Sequence, residues 1–346
     1  MTVTTKPRVR FEEPRSRVCA LALAAALLSV LLVLTGCGSA ASSSAKSSKA
    51  EESFESSALA DTASSSMTSA SASSLSSAAA KGDPKLAAQI EKSLIETAET
   101  AGMDVGICVI DLGTNTKAGV DEDKQFASAS MIKLLIAAAF LEEVESGAYS
   151  LDDEHVLQDA DVVGGSGTLA GLGVGASVTY RELIEKMISV SDNTAANAII
   201  GEIGMDAINE EADRLGLKET ELNRLMMDEE AIAAGRENYT SAENVATLLQ
   251  LAYEGELVSR EASDLVMDAL ESQEDDEGVL NGLPEGVTFA HKTGALGTVQ
   301  HDGGIVGGDN PYVLVVLCGG EGFSPQGAYD IMAATAEATW DILGDA

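Results

Sequence analysis

Residues 130–141 read Ser-Met-Ile-Lys-Leu-Leu-Ile-Ala-Ala-Ala-Phe-Leu, and this stretch carries the strongest structural signal in the chain. It predicts a helix that is apolar on every side, which is typical of a helix buried in a core. Lys133 is the only charged residue within it. Because positions i and i+3 share a face at the start of a helix, the Lys133 ammonium is predicted to lie beside the Ser130 hydroxyl.

That pairing has a chemical meaning. A serine hydroxyl is a poor nucleophile until a base takes its proton. A lysine that is partly withdrawn from water has a lowered pKa and can act as this base. Ser-x-x-Lys alone is a common sequence, but a lysine that interrupts a wholly apolar helix favours the functional interpretation. Ser130 and Lys133 are therefore a candidate nucleophile and base.

Two further short motifs follow in the chain. Ser191-Asp192-Asn193 lies in a break between two helical patterns, where a helix cap is the simpler interpretation. Lys292-Thr293-Gly294 lies on a strand pattern that ends in a glycine turn, and Lys292 is the only lysine or arginine after Arg260. A lone cation in that context is placed to meet an anion, although a solvated strand residue without a partner gives the same pattern.

The elements around the motifs predict one folded domain over residues 83–346. Periodicity indicates, in chain order, a helix over 84–101, strands over 105–112 and up to 120, helices from 130 to about 270 with a glycine-rich loop at 163–167, strands over 287–291, 299–306 and 312–318, and a helix over 328–343. Because strands from both ends must meet in one sheet, the pattern predicts an α+β fold with a mostly antiparallel sheet. Its α/β part is predicted to comprise 84–129 and 275–346, with 130–274 as a helical insertion.

The three motifs, in this order, resemble the motif set of penicillin-recognising serine enzymes. They lie 61 and then 101 residues apart, and the second continues the resemblance through Ser-Asp-Asn-Thr-Ala-Ala-Asn at 191–197. These spacings are more similar to class A β-lactamases than to the larger penicillin-binding proteins. The resemblance covers Pro84 to the C-terminus. It implies the fold shared with DD-peptidases, a five-stranded antiparallel sheet with flanking helices and a helical subdomain.

The resemblance also implies a role for each motif residue. Ser130 would be the acylated nucleophile, Lys133 its base or proton relay, and Ser191 the donor of a proton to the leaving nitrogen, helped by Lys292. Substrate binding would fall to Asn193, Thr293, Gly294 and Ala295, with the backbone N–H groups of Ser130 and Ala295 forming an oxyanion hole. No cofactor and no metal are implied.

One part of the class A pattern has two possible alignments in this chain. The family has a loop glutamate, in a Glu-x-Glu-Leu-Asn context, that activates the water for deacylation. The run Glu219–Asn223 is similar to that context and makes Glu219 the leading candidate for this base. It falls close to the Ser-Asp-Asn motif, however, and an alternative alignment puts Met226 or Met227 at the position of the base. The first alignment predicts rapid release of the acyl group, and the second predicts slow release.

The leading functional hypothesis is a β-lactam-opening serine hydrolase, acting as a monomer. A D-alanyl peptide carboxypeptidase or transpeptidase of the cell wall is the alternative. A wall-binding lipoprotein without turnover is disfavoured, because it would not need the four reactive residues of the motifs. The formal net charge of −35, from 56 acidic and 21 basic residues, argues against a nucleic-acid partner.

The N-terminus has the pattern of an export signal. A basic stretch ends at Arg17, an uncharged apolar run covers 18–34, and Leu-Thr-Gly-Cys follows at 34–37. Those four residues resemble the lipobox of bacterial lipoproteins, which implies a signal peptide over 1–36 and lipid on Cys37. An uncleaved signal anchor is the alternative.

The segment that follows the signal is predicted to be a tether. Residues 37–82 are rich in serine and alanine, with 18 serines between Ser39 and Ser77, and cannot bury enough apolar surface to fold. Lipid on Cys37 would then hold the folded domain on the outer face of the cytoplasmic membrane.

Other reactive side chains have simpler interpretations. Cys108 and Cys318 both lie in strand patterns, and an oxidising compartment would permit a disulfide between them. Buried free thiols are the more common outcome. The pair His301-Asp302 invites a Ser-His-Asp interpretation, which is disfavoured because Lys133 already supplies a base.

Overall fold

The structure is a computed structural model that describes residues 82–344. Its helices are α1 (Pro84–Ala98), α2 (Lys133–Glu145), α3 (Tyr180–Ser189), α4 (Asn193–Leu215), α5 (Glu229–Ala233), α6 (Ala242–Glu254), α7 (Arg260–Glu271) and α8 (Pro325–Leu343). Its strands are β1 (Asp104–Asp111), β2 (Thr116–Val120), β3 (Phe126–Ala127), β4 (Glu154–Val156), β5 (Ser177–Thr179), β6 (Tyr239–Thr240), β7 (Phe289–Leu296), β8 (Val299–Val306) and β9 (Tyr312–Gly319). Three short 3₁₀ helices cover Ala129–Ile132, Leu169–Leu172 and Gly278–Gly282.

Five strands form one sheet in the order β2-β1-β9-β8-β7, and each neighbouring pair is antiparallel. Strand β1 pairs with β9 over their full length, from Asp104 opposite Gly319 to Asp111 opposite Tyr312. The N-terminal and C-terminal parts of the domain are therefore joined in the middle of the sheet. This arrangement confirms the predicted α+β fold with a five-stranded antiparallel sheet.

The sheet separates two hydrophobic cores. One face packs against α1 and α8, with Ile107 and Val109 in the same cluster as Ile90 and Met332. The other face packs against the helical part of the domain, which includes the buried stretch of α2. Because side chains alternate along a strand and both faces of the sheet are covered, β1 and β9 contribute apolar side chains to both cores.

The same alternation separates the two cysteines. Cys108 faces the core of the helical part, whereas Cys318 faces the core of α1 and α8. Both are free thiols, and burial raises the pKa of each to about 12. The disulfide considered from the sequence is therefore not formed.

The helical part differs from the sequence pattern in two details. The predicted helix from Ser130 begins as the 3₁₀ turn Ala129–Ile132, and regular α2 starts only at Lys133. Two short antiparallel pairs, β3 with β6 and β4 with β5, lie among the helices. Strands of two or three residues are too short to show a period of two in the sequence.

The N-terminal predictions concern residues that the structure does not describe. The signal peptide, Cys37 and the tether up to residue 81 all lie outside 82–344. Within that range, no helix combines the length and the apolar character needed to cross a bilayer.

Candidate active site

Ser130 lies in the 3₁₀ turn that precedes α2, and the backbone before it is strained. Ala129 has a φ of 46°, a value that alanine rarely adopts and that costs roughly 1–3 kcal/mol. Strand β7 runs close beside this turn. A Cβ added to Gly294 would lie 3.2 Å from both the Ser130 nitrogen and the Ala129 Cβ. Glycine at 294 therefore allows β7 to approach the serine.

The Lys133 side chain joins two of the three motifs. It is fully buried, and its Nζ lies 3.1 Å from Ser130 Oγ and 3.1 Å from Ser191 Oγ. It also donates to the Ser191 carbonyl oxygen at 2.6 Å and to Asn193 Oδ1 at 2.7 Å. The predicted contact between Ser130 and Lys133 is present. Ser191 and Asn193 of the second motif bind the same Lys133 Nζ.

The buried environment of Lys133 favours its uncharged form, although these acceptor oxygens do not. Burial, followed by the nearby positive charge of Lys292, holds its pKa well below the usual value for lysine, while Asp192 opposes the shift. A neutral amine has two N–H donors and one lone pair. The two carbonyl-type oxygens can only accept, so they use both donors. The lone pair then remains for the hydroxyl hydrogen of Ser130 or Ser191, as a general base requires.

The second motif is both a helix cap and part of the site. Asp192 caps α4 by accepting from the Ala195 backbone N–H at 3.0 Å, and its other oxygen accepts from the N–H groups of Thr168 and Leu169. Ser191, with a φ of 55°, turns towards Lys133. The cap thus holds the start of α4 and the glycine-rich loop in place around Lys133.

The third motif lies on β7, where Lys292 is fully buried. Burial lowers its pKa to about 7, while Asp302 and Asp275 oppose the shift. Its Nζ donates to the Thr293 carbonyl oxygen at 2.7 Å. Near neutral pH this lysine is therefore a cation that can lose its charge.

A cavity of about 120 Å³ opens beside Ser130. Its walls are Ala129, Ser130, Ser166, Asn193, Arg224, Met226, Met227, Ile232, Ala295 and Leu296. Residues of the first two motifs and Ala295, which follows the third, therefore meet around one cavity that has Ser130 in its wall.

Residues 85–343 match the family described as the beta-lactamase enzyme family. The chain belongs to this family. Among curated relatives, Beta-lactamase Toho-2 of Escherichia coli is 30% identical over 228 residues, which cover 62% of this chain and 75% of that protein. A Citrobacter koseri beta-lactamase is 26% identical over 74% of this chain and 88% of its own length.

Solved structures of this family have the same fold. PBP-A superposes with a TM-score of 0.67 at 26% identity, covering 73% of this chain and 95% of that one. The beta-lactamase from Sphaerobacter thermophilus DSM 20745 has a TM-score of 0.66 at 27% identity, covering 74% of this chain and 97% of that one. A point variant of PBP-A is known as an acyl-enzyme complex with penicillin G.

The structure does not bring Glu219 to the cavity of this β-lactamase family member. Its carboxylate accepts from Asn244 Nδ2 at 3.2 Å, and its backbone N–H donates to Asn244 Oδ1 at 3.0 Å. Met226 and Met227 line the cavity instead. Of the two alignments considered from the sequence, the geometry favours the one that places a methionine beside Ser130.

Asn197 holds this register, a role that its sequence context does not reveal. Its amide accepts from the Met226 N–H at 2.8 Å and donates to the Met226 carbonyl oxygen at 3.2 Å. The only signal in the sequence was its place at the end of the run 191–197.

His301 and Asp302 have structural roles. His301 Nε2–H donates to the Ala127 carbonyl oxygen at 2.8 Å, Nδ1 accepts from the Cys318 N–H at 3.3 Å, and burial lowers the pKa of this histidine to about 4. Asp302 accepts from His291 and from the Val279 N–H. A Ser-His-Asp triad is therefore not formed around these residues.

Proposed function

We propose that this chain is a serine hydrolase of the class A β-lactamase type that is acylated by β-lactams at Ser130 and releases the acyl group slowly. The observation that carries the proposal is the buried Lys133 Nζ at 3.1 Å from both Ser130 Oγ and Ser191 Oγ. One uncharged amine can thus take a proton from the attacking hydroxyl and pass it on through the second hydroxyl.

Acylation follows from these contacts in balanced steps. Ser130 Oγ attacks the lactam carbonyl carbon while Lys133 takes its proton, and the tetrahedral oxygen accepts from the N–H groups of Ser130 and Ala295. The C–N bond then breaks, and the proton on Lys133 passes through Ser191 to the leaving nitrogen. Lys292 and Thr293 bind the carboxylate of the substrate.

Deacylation has no comparable base in this site. A water molecule must be held and deprotonated beside the ester, and Met226 and Met227 line that side of the cavity. A thioether can neither hold nor deprotonate water. General base catalysis typically contributes about 10²–10⁴-fold, so the release of the acyl group should be slower by about that factor.

The experiment is to follow the intact mass of the protein over time after mixing with benzylpenicillin. We expect one covalent adduct that persists after free penicillin is removed, and no adduct in a folded Ser130→Ala variant. A chromogenic cephalosporin should show a burst close to one equivalent of enzyme, followed by a slow steady state. Labelling of Ser130→Ala, or rapid turnover without a burst, would contradict the proposal.

A second assay, the release of D-alanine from a peptide, tests the alternative substrate. A peptide that ends in D-Ala-D-Ala presents an amide and a terminal carboxylate to the same groups. Release of D-alanine from it, faster than β-lactam turnover, would favour the carboxypeptidase alternative.

We further propose that the chain is exported and anchored through lipid on Cys37 to the outer face of the cytoplasmic membrane, and that it acts there as a monomer. The support is the order of a basic stretch, an apolar run and Leu-Thr-Gly-Cys at 34–37. The serine-rich spacer that is predicted to follow would let the domain reach substrates in the wall.

A further inference from the structure

The cavity beside Ser130 has an unusually apolar rim. Within residues 82–344 eight large apolar side chains are exposed, and three of them, Met227, Ile232 and Leu296, line this one cavity. Met226 adds a buried apolar wall. Exposed apolar side chains that gather around one cavity are typical of a ligand surface rather than of random exposure.

The reaction geometry decides which part of a substrate reaches this rim. The leaving nitrogen and the carboxylate are directed towards Ser191, Lys292 and Thr293, and none of these three residues lines the cavity. The cavity is bounded instead by Ser130, Asn193, Met226 and Leu296, among others. The side chain of the acyl group, which stays attached to Ser130, is therefore the part that enters it.

The one charged residue among those lining the cavity, Arg224, is already paired with Glu237, so a charge on that side chain finds no free counter-charge there. The Arg224 Nε is buried and has no hydrogen-bond partner within residues 82–344. The Arg224 guanidinium is almost fully buried, pairs with Glu237 and donates to the Leu225 carbonyl oxygen at 3.0 Å. Asn193 uses its amide oxygen for Lys133 and its Nδ2 for the Gly164 carbonyl oxygen. A charged group placed here would lose water without gaining a counter-charge.

The glycine-rich loop limits the size of the cavity. Gly165 has a φ of 85°, and a Cβ there would lie 2.7 Å from Asn193 Nδ2 and 3.2 Å from Met227 Sδ. The backbone of the loop therefore closes directly over the rim. The remaining 120 Å³ is somewhat smaller than a cavity of about 150 Å³ that holds benzene, although this one is open at its edge.

We propose that Met226, Met227, Ile232 and Leu296 form a specificity site for an uncharged, apolar acyl side chain of about the size of one aromatic ring. This inference rests on the proposed acylation of Ser130 and adds the class of acyl donor to it. Acyl groups with a charged substituent next to the reacting amide are disfavoured.

The test compares three penicillins that share one nucleus. Benzylpenicillin has an uncharged phenylacetyl side chain, ampicillin adds an α-ammonium group, and carbenicillin adds an α-carboxylate. Second-order rate constants for acylation of Ser130 are measured by intact mass, and each is divided by the rate constant of that compound with hydroxide. We expect benzylpenicillin to react about tenfold faster, or more, than either charged derivative.

Ampicillin is the decisive comparison. The protein has a formal net charge of −35, so its long-range field attracts the ammonium group of ampicillin and repels the second carboxylate of carbenicillin. A lower normalised rate with ampicillin is therefore opposite to the effect of the long-range field, and it indicates an unfavourable local environment for the ammonium group. A rate with ampicillin equal to or above that with benzylpenicillin would overturn the proposal.

Two variants distinguish an effect of charge at the rim from an effect of the long-range field, because both add the same charge. Ile232→Lys places a cation on the rim, whereas Leu172→Lys places one at an exposed residue outside the cavity wall. The measured quantity is the ratio of the benzylpenicillin rate constant to the carbenicillin rate constant. We expect Ile232→Lys to reduce this ratio at least about threefold more than Leu172→Lys does.

Equal effects of the two variants, or equal rates for the three penicillins, would overturn the specificity site and leave the acylation mechanism intact. Failure of all three penicillins to label Ser130 would instead overturn the proposed function, and the specificity site with it.

Discussion

Two buried lysines in this site have opposite requirements. In the proposed mechanism Lys133 must be uncharged to take a proton, whereas Lys292 must be charged to attract a carboxylate. Burial lowers the pKa of both, and the charge of Lys292 lowers that of Lys133 further. Asp302 and Asp275 hold the pKa of Lys292 at about 7, so its ammonium persists at and below neutral pH.

This difference predicts a pH dependence for acylation. Lys292 is protonated below a pKa of about 7 and loses its charge above it, so acylation by anionic β-lactams should fall as the pH rises from about 7 to about 9. Arginine stays protonated throughout this range. We therefore expect Lys292→Arg to remove the fall above neutral pH, as measured by the second-order rate of labelling. If the labelling rate of Lys292→Arg still falls above neutral pH, another titrating group causes the fall.

The contact between Ser130 and Lys133 could be predicted because Ser-x-x-Lys lies at one helix start, whereas the roles of Ser191 and Asn193 were implied only by the resemblance to the family. The structure does bring Ser130, Lys133, Ser191 and Asn193 together. The strained φ of Ala129 could not be predicted, since alanine has no local preference for a left-handed backbone.

At the scale of elements, segment 216–238 between α4 and β6 holds the residues on which the proposed slow deacylation depends. Three asparagine side chains hold its backbone: Asn197 binds Met226, Asn209 binds Leu222, and Asn238 binds the N–H groups of Asn223 and Arg224. Each amide replaces a missing backbone partner in irregular structure. The register of the segment is therefore set by Asn197 and Asn209 of α4 and by Asn238 at the end of the segment.

The position of Glu219 could not be predicted for this reason. The run Glu219–Asn223 is a local pattern, whereas the contact that places Met226 at the cavity joins residues 29 positions apart. The larger architecture was predictable, because the length and period of the strands and of α2 are local properties of the sequence.

A carboxylate at position 226 should supply the base that the site lacks. We expect Met226→Glu to increase steady-state turnover of a chromogenic cephalosporin about tenfold or more and to shorten the lifetime of the adduct. Met226→Gln has the same shape without a base and should not do so. Glu219→Gln should leave turnover unchanged, because its carboxylate binds Asn244. Loss of turnover in Glu219→Gln would mean that Glu219 is the deacylation base.

At the scale of the whole molecule, a strongly acidic protein is proposed to work at a membrane surface. Its net charge of −35 opposes any electrostatic attraction to anionic lipids. In the proposed arrangement the attachment comes from the N-terminal region, through lipid on Cys37.

This reasoning predicts how the protein should behave on fractionation. Lipid on Cys37 would anchor the chain by burying methylene groups, each worth about 0.8 kcal/mol, so detergent should release the protein and high salt should not. Labelled palmitate should enter the wild type, whose mature chain should begin at Cys37. In Cys37→Ser the label should be lost and the protein should partition into the aqueous phase, with acylation of Ser130 by benzylpenicillin unchanged. A wild-type protein that salt releases, or that begins at another residue and carries no label, would contradict the lipid anchor while leaving the chemistry of the domain intact.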